Sequence, residues 1–216
     1  MGKDAILKHI KKQHTFIQSF IHLINFIMKK VLLLLVMAVA AFSASAQITW
    51  NAKGGLGVAH CWGDSEGLKS HFVGKIGAGI EKPFTSNWSL MPSLELAWKG
   101  CKIGNEVTLD VLYLQIPIMA AYRLNLNDSW NMTLKAGPYL AFGVYGKYKF
   151  QNGEGSVNAF GSEGGGKRFD LGLDLGVDFE YHRYVFGVEY ELGFLPIAKG
   201  ENVHNGAFYA TVGYKF

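Results

Sequence analysis

The chain has 216 residues, 49% of them hydrophobic and 14% aromatic, with 27 glycines, two cysteines and a formal net charge of +4. The hydrophobic share is too high for a disordered chain, and two cysteines cannot build a disulfide-dense scaffold or a four-thiolate zinc site. Six of the 21 basic residues but one of the 17 acidic residues lie in residues 1–46, which leaves 15 basic and 16 acidic residues in 47–216. The main part of the chain therefore lacks the basic surface that nucleic acid binding requires.

Residues 28–46 have the pattern of a secretory signal peptide. Two lysines precede an apolar run, and small residues lead to a predicted cleavage site after Ala46. The run is shorter than the roughly 20 residues that a membrane-spanning helix needs. Residues 1–27 are either a membrane-surface helix or, as we favour because a signal begins at Met28, a segment that is not translated. We therefore predict an N-terminal extension, a signal peptide and one domain at 47–216.

Residues 47–216 alternate apolar and polar side chains with the period of two that is typical of β-strands. The clearest run begins at Phe169, where every second residue up to Tyr181 is apolar and the residues between them are Asp, Glu or Gly. Similar runs cover 48–59, 72–83, 88–99, 112–123, 130–142, 184–194 and 208–216. Each run is long enough to cross a bilayer as a tilted strand, which takes about 9–11 residues.

The connections between these runs alternate in length. Long connections are predicted at 60–71, 100–109, 149–168 and 196–206, and short ones at 85–87, 126–129 and 182–183. Long loops at one end and tight turns at the other are typical of an outer-membrane barrel. The predicted fold class is all-β: an eight-stranded antiparallel up-and-down transmembrane β-barrel after an N-terminal signal peptide.

Alternation alone does not decide which face lies inside, because a soluble lipocalin-like barrel that binds a small apolar ligand turns its apolar face inward. Here the polar face is rich in glycine, which suits the narrow interior of eight strands. The apolar face carries aromatic residues near strand ends, namely Trp50, Trp88, Trp98, Tyr122, Trp130, Tyr181, Tyr184 and Tyr214. Such aromatic girdles indicate that the apolar face meets lipid and the charged face lines the lumen.

A charged face inside a narrow barrel predicts ion pairs across the lumen, because buried charges persist only when they are paired. The predicted lumen charge network has a structural role and comprises Lys53, Lys75, Glu95, Lys99, Arg123, Lys135, Asp170, Asp174, Asp178, Glu189 and Glu191. This network would plug the lumen, and the alternative is a narrow gated ion path. We favour the plug because eight-stranded barrels are filled by their own side chains.

The run 60–66 holds the side-chain types of a hydrolase triad, including His60 and Ser65, at the predicted outer rim. A lipid-modifying enzyme could act there, but a triad is defined by geometry and not by nearness in sequence. A candidate metal site would comprise His60, Asp64, His71 and His204. No ligand-spacing motif supports that site. We therefore predict no enzymatic activity, no catalytic residue, no metal and no cofactor.

Cys61 and Cys101 both map to the outer ends of predicted strands, and an exported protein can form a disulfide. They follow the first and third strands, which are not neighbours in the sheet. A bond between them would require the loops to fold over the second strand. The sequence leaves the pairing open.

The motifs WSL at 88–90, PSLE at 92–95, YLQIP at 113–117, GPY at 137–139, FDLG at 169–172 and VGYKF at 212–216 stand at strand positions. Together they resemble the Bacteroidetes outer-membrane β-barrel family (PorT-like), whose eight-stranded barrels are of the OmpA/OmpX type. The resemblance spans essentially all of 47–216 and implies the fold and an outer-membrane location, but little about activity. Gln115 departs from the family, which often has Glu there, and this removes one lumen charge.

The closing residues Tyr214 and Phe216 resemble the terminal aromatic signal by which the outer-membrane insertion machinery recognises barrels. The expected partners are outer-membrane lipid, that machinery and a surface ligand bound through the loops, with no nucleic acid. The predicted function is a porin-like outer-membrane barrel with a structural or surface-interaction role. The alternatives are a membrane-embedded lipid-modifying enzyme at the outer rim and a narrow gated channel.

Overall fold

The computed structural model describes residues 48–63, 67–104, 107–150, 155–160, 165–198, 200 and 202–216. They form ten strands: β1 (Thr49–Gly63), β2 (Leu68–Lys69), β3 (His71–Pro83), β4 (Trp88–Ile103), β5 (Val107–Asn125), β6 (Trp130–Phe150), β7 (Ser156–Asn158), β8 (Phe169–Tyr181), β9 (Tyr184–Pro196) and β10 (Val203–Lys215). No helix among these residues is long and apolar enough to span a membrane. The predicted extension at 1–27 and signal peptide at 28–46 lie outside the described residues.

Eight long strands close into an antiparallel barrel. They follow one another in the order β1, β3, β4, β5, β6, β8, β9 and β10, each paired with the next, and β10 pairs with β1. The closing seam runs from Asn51 opposite Lys215 to Gly63 opposite Val203. The short strands β2 and β7 widen the sheet at its rim, where they pair with β4 and β6. The predicted eight-stranded up-and-down barrel is therefore confirmed.

The two ends of the barrel differ in their connections. One end, the short-turn end, carries 84–87, 126–129 and 182–183, and the other, the long-loop end, carries 64–70, 104–106, 151–168 and 197–202. The predicted long loop at 100–109 is wrong, because β4 continues to Ile103 and β5 starts at Val107. Strand β6 likewise runs on to Phe150. These strands extend beyond the residues that alternate in polarity, because backbone hydrogen bonds between strands do not depend on that alternation.

The outward face of the barrel is apolar and the inward face is charged. Leu56, Phe72 and Phe169 point outward and are 61%, 70% and 63% exposed, whereas Lys75 and Glu189 point inward and are 3% and 1% exposed. A soluble barrel would have the opposite arrangement, because water favours charges on the outside. The lipocalin-like alternative is therefore wrong, and the exterior is suited to lipid.

Aromatic side chains ring the outside of the short-turn end. Rings contact one another in the pairs Trp88–Tyr122 at 5.0 Å, Trp130–Tyr181 at 4.9 Å and Tyr184–Tyr214 at 5.5 Å between centroids. Each pair joins two neighbouring strands at the same level. This arrangement is the aromatic girdle that membrane barrels place at a bilayer interface.

Cys61 and Cys101 form a disulfide, with 5.6 Å between their Cα atoms. Both residues are buried inside the barrel. Strand β3 lies between their strands, but its first residue, His71, stands opposite Ala59. Strand β3 therefore does not reach the level of Cys61. The bond therefore joins β1 and β4 through the interior, and no loop has to fold over β3.

Candidate functional site

At the short-turn end, two glutamates and two bases form a closed set of ion pairs. The Lys215 Nζ lies 2.6 Å from Glu81 and 2.5 Å from Glu180. The Arg123 Nη2 lies 2.8 Å from Glu81 and 3.2 Å from Glu180. The Thr133 hydroxyl donates a hydrogen bond to Glu180 at 3.1 Å. Charges balance in this set, which is the condition under which buried ions persist.

Lys75 lies at the centre of the lumen. Its Nζ contacts the Glu189 carboxylate and lies 2.9 Å from Glu191 and 3.3 Å from Glu95. The same ammonium lies 4.7 Å from the centre of the Tyr209 ring, within the range of a cation–π interaction. One buried cation thus holds carboxylates from two strands.

Two further lysines surround the same carboxylates. The Lys53 Nζ lies 2.8 Å from Glu95 and 2.7 Å from Glu189. The Lys135 Nζ lies 2.6 Å from both Glu189 and Asp178. Together with Lys75 on β3, these side chains form a central layer that links six strands, β1, β3, β4, β6, β8 and β9, by charge-assisted contacts.

Towards the long-loop end, a third group of polar contacts crosses the lumen. The Lys99 Nζ lies 2.7 Å from Glu191 and 3.9 Å from the centre of the Tyr139 ring. The Tyr139 hydroxyl donates to Asp170 at 3.1 Å, and the Asn205 amide donates to the same carboxylate at 3.2 Å. Neutral hydrogen-bond donors thus share the stabilisation of Asp170 with a single lysine.

Gln115 and Asp174 both lie beside Glu191 in the lumen. The Gln115 amide donates to Glu191 at 2.9 Å, and a glutamate at this position would instead place a second carboxylate against it. Asp174 is fully buried beside Glu191, yet within the described residues neither of its carboxylate oxygens accepts a hydrogen bond. Asp174 is therefore the least satisfied group of the described lumen.

The structure places all eleven residues of the sequence-derived network on the inward face of the barrel. Each of them except Asp174 has an ion pair there. The interior also holds Glu81, Glu180 and Lys215, which the network from the sequence omitted. The alternation of side chains could have predicted that these three residues point into the lumen, because they stand on the polar face of their strands.

An apolar cluster lies inside the barrel towards the long-loop end. Its buried members are Leu109, Val111, Tyr113, Tyr139, Ala141 and Ala159. Beside it, the disulfide packs with Val203, Leu68 and Ile197. These residues come from six strands, β1, β2, β4, β5, β6 and β10, and from the connections that follow β7 and β9.

The described residues 155–160 and 165–168 contact strand β6. The Phe160 ring occupies the space beside Gly143 and Gly146, and a Cβ on Gly143 would clash with that ring. The Arg168 guanidinium lies 4.5 Å from the centre of the Phe160 ring and donates to the Gly143 carbonyl at 2.8 Å. Because Gly143 and Gly146 have no side chains, the Phe160 ring can pack directly against the backbone of β6.

The histidines of the rim have separate partners. His60 contacts the Tyr190 hydroxyl at 3.4 Å, His71 contacts Asp110 at 2.9 Å and His204 stacks on Trp62. Asp64, Ser65 and Glu66, which the catalytic and metal alternatives invoke, lie outside the described residues.

Among the described residues, the group with carboxylates close enough for a metal ion is Glu95, Glu189 and Glu191. The Lys75 ammonium already contacts all three. A divalent ion there would have to displace a buried, paired cation, so the donor set is matched to lysine.

Comparisons with known proteins place this architecture in context. The family described as outer membrane protein beta-barrel domain matches residues 31–216. Neisserial surface protein A has a similar structure, at 14% identity over 79% of this chain and 99% of that chain, with a TM-score of 0.52. Ail of Yersinia pestis (15% identity, 78% and 98% covered, TM-score 0.46) and the outer membrane enzyme PagL (14%, 79% and 99%, 0.43) are further similar structures.

No curated protein matches the sequence at a significant level. Identities of 14% and 15% to the solved structures concern the fold alone. The family match, in contrast, covers most of the chain and agrees with the closed barrel and its apolar exterior. The chain belongs to the outer membrane protein β-barrel domain family, and its location is the outer membrane.

Proposed function

We propose that this protein is a non-enzymatic outer-membrane barrel with a closed lumen, whose role is structural or lies in interactions at the cell surface. The observation that carries the proposal is the set of buried ion pairs that fills the interior, centred on Lys75. The apolar cluster around Tyr113 and Tyr139 supports it from the long-loop end. A barrel filled in this way presents its loops and exterior, rather than its lumen, to other molecules.

The space beside the central layer is small, which supports a closed lumen, whereas a space of about 330 Å³ opens at the short-turn end itself, lined in part by Glu81, Arg123 and Lys215. A cavity of about 40 Å³ lies between the central layer and the short-turn end, lined in part by Lys53, Lys135, Asp178 and Lys215. Such a volume holds a few water molecules at most. Continuous ion conduction requires a wetted path along the whole barrel, and this gap covers only a short part of it.

Electrical recording tests the closed lumen. We expect the purified barrel, folded into a planar lipid bilayer, to give no steady open-channel current, because paired charges and apolar side chains occupy the interior. Heat-modifiable electrophoretic mobility of the same preparation serves as the control for correct folding. A large steady conductance from folded protein would favour the narrow gated channel instead.

The absence of catalysis is part of the proposal. A lipid-modifying enzyme at the outer rim would need a nucleophile within hydrogen-bond reach of a base. His60, the base that such an enzyme would use, instead contacts the Tyr190 hydroxyl on the outside of the barrel. This contact supports a structural role for His60.

The resemblance to the PorT-like Bacteroidetes barrels motivates the finer family assignment within this proposal. We also propose that the outer-membrane insertion machinery recognises Tyr214 and Phe216. The Phe216 amide donates to the Trp50 carbonyl at 2.8 Å, and its ring lies 5.3 Å from that of Tyr214 on the outer surface. An exposed aromatic pair next to the closing seam is accessible to a factor that pairs with this edge during assembly.

A further inference from the structure

Four lysines lie close together near the long-loop end of β2, β4 and β6. They are Lys69, Lys102, Lys147 and Lys149, and we call them the lysine strip. At the corresponding ends of β1, β9 and β10, the described residues include no lysine or arginine. Those strands instead carry aromatic and imidazole side chains, such as Trp62. The strip therefore makes one side of the barrel basic at this end.

Strand register brings the lysines into rows. Lys69 stands opposite Lys102, which stands opposite Thr108, and Thr108 stands opposite Lys149. Lys102 and Lys149 are thus two strand spacings apart, which is about 10 Å. Lysine stems are long and flexible, so two ammonium groups at this separation can reach one phosphate group between them.

In the part of the chain that the structure describes, Asp110 is the acidic residue that contacts the strip. Asp110 contacts the Lys149 Nζ at 2.5 Å and the His71 Nε2 at 2.9 Å. The Lys149 side chain is nevertheless 60% exposed. The Lys147 ammonium lies 5.6 Å from the centre of the exposed Tyr145 ring. Among the described residues of the strip, Lys102, Lys147 and Lys149 outnumber Asp110, and this excess of positive charge favours an anionic ligand.

The strip lies at the depth of lipid headgroups. On β4, the outward Trp88 and Trp98 are both exposed and mark the two ends of the apolar belt. Ten residues of a strand tilted by about 40° span about 25 Å along the bilayer normal, which is the height of such a belt. Lys102 stands on the same face, four residues beyond Trp98, and is therefore about 10 Å above the belt. Cations just beyond an aromatic girdle are at the level of lipid phosphates.

We propose that the lysine strip binds the phosphate groups of outer-leaflet lipid headgroups. Charge complementarity and depth both point to this occupant, because a headgroup phosphate is the anion that a bilayer presents at this level. Anionic lipid would then bind to the side of the barrel that carries the strip, and this binding would restrict rotation of the barrel relative to that lipid. This inference requires the outer-membrane location and is independent of whether the lumen conducts.

Fluorescence quenching next to the strip tests the inference. In a variant that keeps Trp98 as its single tryptophan, Trp98 reports on nearby lipid, since it lies directly below the strip. The protein is folded into phosphatidylcholine vesicles that contain either brominated phosphatidic acid or brominated phosphatidylcholine. We expect stronger quenching by the phosphatidic acid, and added salt should weaken this preference.

Matched double variants separate the strip from general charge. Lys102→Gln with Lys147→Gln removes two strip charges, and the preference for phosphatidic acid should fall about fivefold for each lysine removed. Lys82→Gln with Arg183→Gln removes the same charge at the opposite end and should leave the quenching of Trp98 unchanged.

Three results would overturn the inference: equal quenching by both lipids, an unchanged preference in the strip variant, or an equal loss in the control. Polyphosphate added to the vesicles is the competing probe. If it binds the wild-type protein while phosphatidic acid shows no preference, the strip serves a soluble polyanion and the lipid proposal fails.

Discussion

The ammonium group of Lys75 stabilises three carboxylates at once, on Glu95, Glu189 and Glu191. A methionine in its place would keep much of the volume but leave those carboxylates one cation short in a buried site. Removing one partner of a buried ion pair costs about 3–5 kcal/mol. We therefore expect Lys75→Met to lower the free energy of unfolding by about that amount, measured by urea titration in lipid vesicles.

Lys53 provides the matched control for this prediction. It contacts Glu95 and Glu189 as well, but its side chain is 17% exposed and Lys75 remains beside both carboxylates when it is removed. Lys53→Met should therefore lower the free energy of unfolding by about 1–2 kcal/mol, since water and Lys75 still stabilise the two carboxylates in part. Equal losses from the two variants would mean that the central layer does not depend on Lys75.

At the scale of the strands, the Cys61–Cys101 disulfide joins β1 to β4 across a sequence separation of 40 residues. A cross-link of this span removes conformational entropy from the unfolded chain, worth about 4 kcal/mol. Reduction of the bond should lower the free energy of unfolding by about that amount, measured by urea titration with and without reductant. The double variant Cys61→Ala with Cys101→Ala should be insensitive to reductant. If reductant leaves the wild-type transition unchanged, the bond does not stabilise the barrel.

The alternation of side chains was enough to predict the strands, the closed barrel and its inside-out polarity, because lipid on one face and a narrow lumen on the other constrain every second residue. Strand ends were less predictable. Beyond the belt, β4 continues through Cys101 and Lys102 to Ile103 with no polarity constraint. The ion-pair partners were also not predictable, because lysine stems are flexible and several carboxylates lie within reach of each. The disulfide was not predictable either, because it depends on β3 beginning only at His71, and side-chain alternation does not determine where a strand begins.

Within its apolar belt, the described barrel follows one rule: charged side chains point inward and apolar side chains point outward. Leu175 points outward, midway between the outward aromatic residues Phe169 and Tyr181 on β8. Leu126 is also exposed but lies in a short turn beyond the belt. The two leucines therefore differ in depth and not in chemistry, so they can report where the bilayer lies.

Arginine at each position tests this placement. A charged side chain on the lipid face costs about 2–4 kcal/mol at the bilayer midplane and about 0–1 kcal/mol near the interface. Leu175→Arg should therefore lower the free energy of unfolding in lipid vesicles by about 2–4 kcal/mol, and Leu126→Arg by less than about 1 kcal/mol. Urea titration of both variants in the same vesicles provides the measurement. Similar losses at the two sites would contradict a belt centred on Leu175, whereas the expected difference would place the middle of β8 in the hydrocarbon and the short-turn end outside it.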